Sequence, residues 1–225
     1  MSRVVALTHS LIGKKVVMAV TGVILIGFLV GHVYGNLKIF QGAVHFNAYA
    51  EGLRTLGAPI FGRSHLLWIA RGLLLASTVG HLGAAWAVTR ASWQARPVPY
   101  RRLDLVETTF AARTMRWGGV VLLLFVIYHL LDLTFGRANP SFVPGDAYHN
   151  VVASFSVPVV AAFYILAMLA LGLHLYHGLW SACQTLGLNH PRYNHPRRGA
   201  AGALTFLIAA GFLSVPLAVV AGMVR

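Results

Sequence analysis

The sequence predicts an all-α integral membrane protein: one bundle of five transmembrane helices, built from 225 residues as a single membrane domain. Three observations lead there. The chain is 57% hydrophobic and only 10% charged, too little polar surface to cover a water-soluble globule. Its mean hydropathy is +0.70. The apolar residues fall into five runs long enough to cross about 30 Å of hydrocarbon at 1.5 Å per residue, separated by basic or turn-rich stretches.

Taken in order, the spans are expected at about 16–39, 63–88, 117–135, 155–183 and 199–224. Lys14 and Lys15 precede the first, which is too long for a cleaved leader and is read as a permanent helix. Between the first two spans, Phe46 to Arg54 has the apolar spacing of a short interfacial helix. The Arg90 to Arg116 segment is the most basic connection, and Pro97 and Pro99 keep part of it from being helical. Gly136 to Ser154 reads as a turn-rich loop, and Pro158 is tolerated in the first turn of the fourth span. Gln184 to Arg198 reads as basic and proline-broken. The fifth span has no ionisable residue and is expected to be purely structural.

The net charge of +13 does not point to nucleic acid, because the cations cluster in loops between apolar runs. On alternate sides, Arg3, Lys14, Lys15, the Arg90 to Arg116 segment, Arg192, Arg197 and Arg198 outweigh Lys38, Arg54, Arg63, Arg137 and Arg225. The positive-inside rule then puts the N-terminus in the cytoplasm and the C-terminus outside. Cys183 is the only cysteine, so the chain has neither an intrachain disulfide nor a CxxCH haem attachment.

Four spans each carry a histidine in hydrocarbon: His32, His81, His129 and His174. An imidazole there needs a partner. A lone one is as well explained by an interhelical hydrogen bond or a proton relay, but four on four helices are what two six-coordinate b haems require. Counting from the basic boundaries at 1.5 Å per residue puts His32 about 25 Å and His129 roughly 20 Å above the inner face, and His81 and His174 about 14 Å above it. Depth therefore pairs His32 with His129 and His81 with His174, with centres offset by about 10 Å plus lateral displacement. Small residues one turn away, Ser77, Thr78, Ala84 and Ala85 around His81 and Ala170 and Gly178 around His174, leave room for a flat ring. His177 lies one turn from His174, and spacing alone does not choose between them.

Two charges lie in the outer half. Arg71 is a candidate partner for a haem propionate or a snorkelling cation. Asp132, one turn beyond His129, is a candidate partner for Arg71 or a proton acceptor in quinol oxidation.

These residues resemble the diheme, five-helix cytochrome b subunit (b558 type) of succinate:quinone oxidoreductases, the membrane anchor of bacterial succinate dehydrogenases and fumarate reductases. The resemblance covers nearly the whole chain. It rests on Gly31-His32, Gly80-His81, Tyr128-His129-Leu130-Leu131-Asp132, His174 with Gly178-Leu179-Trp180-Ser181, and Thr185-Leu186-Gly187, with histidine spacings of 49, 48 and 45 residues. It implies that His81 and His174 hold an inner haem and His32 and His129 an outer one, and it selects His174 over His177. It implies a flavoprotein and an iron-sulfur subunit on the cytoplasmic side, quinone (menaquinone or ubiquinone) as the membrane substrate, and a multi-pass place in the bacterial cytoplasmic membrane. Some fumarate reductases of the family have a glutamate two residues before the fourth-span histidine, where this chain has Gly172. An acidic residue near the outer haem is associated with quinol chemistry, and Glu51 is the nearest candidate beside Asp132. The competing readings are a diheme anchor of another quinone-linked dehydrogenase and a proton-coupled transporter, though the paired Gly or Pro interruptions of the latter are not evident.

Overall fold

The computed structural model describes residues 10–95 and 110–225. The leading segment with Arg3 and most of the basic connection, including Arg96, Arg101, Arg102, Asp104 and Glu107, lie outside the described residues. Those described form helices and turns, and five of the helices are long and apolar enough to cross a bilayer.

Helix α1 (Leu11–Leu37) starts where the Ser10 side chain accepts a hydrogen bond from the Gly13 N–H, and passes into a 3₁₀ turn, Lys38–Gln41. Gly42, at φ 89°, turns the chain in a conformation other residues resist and opens the short helix α2 (Ala43–Thr55). Helix α3 (His65–Gln94) follows. Helix α4 (Phe110–His129) continues into a π-helical turn, Leu130–Thr134, closed by the Phe135 N–H donating to the Leu130 carbonyl at 2.8 Å. Helix α5 (Ala147–Phe155) is capped by the Asp146 side chain, α6 (Pro158–Thr185) has Pro158 in its first turn, and α7 (Pro191–Val220) ends the bundle.

The spans differ from the expected boundaries chiefly by being longer. The second and third reach into the basic connection, so Arg90, Arg113 and Arg116 are helical, and the Arg116 guanidinium lies 5.7 Å from the Trp93 ring centroid. The fifth begins at Pro191, where a proline-broken loop was expected. Pro191 sits at the first helical position, where its missing N–H costs nothing, and Pro196 is absorbed one turn later. Part of the expected loop 136–154 is α5, while the short helix expected over Phe46 to Arg54 is present as α2.

Helix α1 packs along α3, α6 and α7, and α6 packs along α4 and α7. The diagonal pairs, α1 with α4 and α3 with α6, make no extended backbone contact. The apolar core gathers at one end, where Ile39, Phe46, Phe125, Val151, Phe155, Tyr164 and Val219 meet under α2 and α5. Asn47 latches these two short helices: its side chain donates to Asp146 Oδ1 at 2.9 Å and accepts from the Tyr148 N–H at 2.9 Å.

Candidate functional site: two histidine pairs

The four intramembrane histidines meet across the two unpacked diagonals. His32 on α1 faces His129 on α4 with ring centroids 5.9 Å apart, and His81 on α3 faces His174 on α6 at 6.3 Å. The pairs are those expected from depth. His177 faces neither histidine of the inner pair among the described ring contacts, so the structure brings His174 opposite His81.

The two pairs lie at different levels, and three helices measure the interval. On α1, a methyl group at Gly22 would lie 3.4 Å from His81 Cε1, and His32 comes ten residues later. On α4, Gly119 faces His174 and His129 comes ten residues later. On α6, Tyr164 touches His129 and His174 comes ten residues later. Ten residues rise roughly 15 Å, more than the 10 Å offset expected from counting inward from the loops. The basic boundaries used for that count were misplaced, because the helices run on past them.

Each pair has a defined surrounding. His81 Nδ1 lies 3.0 Å from the Met18 carbonyl and 3.3 Å from Thr21 Oγ1. A carbonyl only accepts, so the His81 Nδ1 carries the proton and Nε2 keeps its lone pair. His129 Nδ1 lies 3.3 Å from Tyr164 Oη, whose hydroxyl donates to Asp132 Oδ2 at 2.7 Å. The Ser154 hydroxyl donates to the same oxygen at 2.6 Å. Phe28 stacks on His32 at 5.1 Å, and Phe212 of α7 approaches it at 5.6 Å, so the fifth span packs against one side of the outer pair.

No protein-family model, curated protein or solved structure matches this chain. What the pairs can do chemically therefore rests on their geometry.

Two nitrogens on opposite sides of one metal, with metal–nitrogen bonds of about 2.0 Å and ring centres about 1.1 Å further out, put imidazole centroids about 6.2 Å apart. Both pairs fall near that separation, and the angle between ring planes is free because each ring turns about its own metal–nitrogen axis. A directly hydrogen-bonded imidazole pair would need nitrogens within about 3 Å; among the described residues His81 bonds instead to Met18 and Thr21, and His129 to Tyr164. The buried Nδ1 of His174 also has no partner among the described residues. Each pair offers two imidazole nitrogens and leaves the other coordination positions to the ligand itself. This donor set fits a six-coordinate haem.

The two outer charges are not paired with each other. Asp132 is 1% exposed and bound to Ser154 and Tyr164, whereas Arg71 is exposed with its guanidinium 4.7 Å from the Trp68 ring centroid. Of the two alternatives for Asp132, the ion pair with Arg71 is therefore corrected: the carboxylate is turned to Ser154 and Tyr164, while Arg71, near the start of α3, lies against an aromatic ring. Arg71 precedes His81 by ten residues, which sets it at the level of the outer pair. Glu51 bridges Arg54 at 2.9 Å and Arg63 at 2.6 Å. The Arg54 hydrogen bond, with Arg63 adding to it, holds the Glu51 carboxyl below the ordinary value of 4.5.

Sequence reasoning missed Tyr164, Ser154, Thr21 and the Met18 carbonyl. Tyr164 had a readable signal, a polar aromatic ten residues before His174. Ser154 lay in a stretch read as loop, and the Met18 carbonyl leaves no mark in sequence at all.

Proposed function

We propose that this chain is the diheme cytochrome b anchor of a succinate:quinone oxidoreductase. The observation that carries the reading is the pair of opposed imidazoles on each diagonal, 5.9 and 6.3 Å between centroids, repeated at two levels ten residues apart. His32 and His129 would hold an outer haem, His81 and His174 an inner one. The haems, when bound, supply one-electron carriers between the two faces of the membrane. The chain's own part is to fix their axial nitrogens, exclude water with Phe28, Phe125 and Phe212, and hold the ligand protons at defined atoms.

In this reading the N-terminus is cytoplasmic and the C-terminus outside, in a bacterial cytoplasmic membrane. A flavoprotein and an iron-sulfur subunit dock on the cytoplasmic side and exchange electrons with menaquinone or ubiquinone through the chain. Arg71, at the outer level, is suited to a haem propionate, and Glu51 and Asp132 are the acidic groups at the quinone-facing end. The resemblance of the histidine motifs supplies the choice of complex. The bis-histidine geometry is shared with anchors of other quinone-linked dehydrogenases, which co-purifying subunits distinguish.

The test is spectroscopic. The purified chain is expected to hold two low-spin b haems, and each of His32→Ala, His129→Ala, His81→Ala and His174→Ala to lose one, while His177→Ala keeps both. A chain with no haem α band after reduction overturns the reading, and liposome flux without redox partners would favour a transporter instead.

A further inference from the structure

We propose that Asp132, acting through Tyr164, is a positioning residue that sets the electron-donor strength of His129 and so makes the two histidine pairs unequal. The inference rests on the diheme reading above and gives the buried Asp132, Ser154 and Tyr164 network a role toward His129 in addition to the quinone-side place that reading gives Asp132.

Asp132 is the one buried carboxylate among the described residues. Its Oδ2 receives two short hydrogen bonds, from Ser154 Oγ at 2.6 Å and Tyr164 Oη at 2.7 Å, lengths typical of bonds to a charged acceptor. With the Tyr164 proton committed to Asp132, the phenol oxygen is left to accept from His129 Nδ1 at 3.3 Å. The chain of donors runs one way: imidazole N–H to phenol oxygen, phenol O–H to carboxylate. It fixes the His129 tautomer with Nε2 free, and it aligns the phenol dipole so that negative charge builds on the oxygen facing the imidazole.

The inner pair is backed differently. His81 Nδ1 has the Met18 peptide carbonyl, a neutral acceptor, and Thr21 beside it. A ligand whose outer N–H faces a carboxylate-polarised oxygen donates more to its metal than one facing a peptide, and stabilises the oxidised metal. Local structure contributes here. The π turn Leu130–Thr134 is what brings Asp132 to α5 and α6 one turn from its histidine.

Redox titration with parallel electron paramagnetic resonance tests this on the purified diheme chain. In Asp132→Asn, which keeps an acceptor oxygen without the charge, the midpoint potential of one haem is expected to rise and its low-spin signal to shift, with the other haem unmoved. Tyr164→Phe is expected to act in the same direction, the double variant to do no more than the larger single change, and Asp132→Glu to move the potential back toward wild type. Should Asp132→Asn fail to accumulate, Tyr164→Phe carries the test alone. Potentials unmoved in either variant, or both haems shifting alike, overturn the inference and leave the diheme reading standing. A haem-free wild-type chain removes both.

Discussion

At the residue scale, glycines placed against imidazoles matter as much as the imidazoles. Gly22 leaves 3.4 Å between a would-be methyl and His81 Cε1, a contact with no slack for a branched side chain. Gly22→Val is therefore expected to displace His81 and remove the inner haem while leaving the outer, read as the loss of one of two redox steps. Asp132→Leu is expected to be worse for the fold than Asp132→Asn. It strands the buried Ser154 hydroxyl and the Tyr164 hydroxyl without an acceptor, at about 1–3 kcal/mol for each unpaired group, and thermal unfolding in detergent reads the loss. The facing imidazoles were legible in the sequence because an imidazole in a hydrocarbon run is conspicuous. Their supports were not: a backbone carbonyl such as that of Met18 has no sequence signature, and Asp132 could be assigned to Arg71 only because one-dimensional spacing does not reveal a π turn.

At the element scale, the long helices were readable from hydropathy and their ends were not. Clustered arginines and a proline in sequence suggest a loop, yet long cationic side chains extend a helix beyond the hydrocarbon, and Pro191 opens one. The short helices α2 and α5 are held by Asn47, so Asn47→Ala, which removes two hydrogen bonds, is expected to destabilise this end by about 1–3 kcal/mol and to raise hydrogen exchange in α5 before the spans are affected. The same latch depends on pH. The His149 N–H, then the Asn47 side chain, hold the Asp146 carboxyl below its ordinary 3.8. A lowered carboxyl favours the folded latch fully above the unfolded value, and the contribution is lost as pH falls through the folded one. Protection of α5, taken as exchange relative to the intrinsic amide rate at each pH, is therefore expected to be constant above about pH 5 and to fall only below 3.8.

At the scale of the whole molecule, the bundle is unevenly packed. The candidate spans α6 and α7 have 28% and 33% of their apolar windows buried, against 6% for α1 and α3 and 11% for the span that begins with α4. A flat ligand seated between α3 and α6 would bridge helices that otherwise touch little. Ligand binding to the folded state alone raises its stability, so the haem-depleted chain is expected to unfold at a lower temperature than the loaded one, with α3 exchanging first. Orientation is a property of the same scale. A periplasm-active reporter fused after Arg225 is expected to be active, and one fused in the 96–109 connection inactive.

The interval from Gly22 to His32, Gly119 to His129 and Tyr164 to His174 acts as a shared count kept by three separate helices. Adding or removing one residue inside any of them would swing everything beyond it by about 100° about the axis, pulling one ligand out of line while its neighbours stay put. Among descendants of a common ancestor, insertions and deletions should consequently collect in the connections and be missing from these three stretches, even where the amino acids within them have drifted.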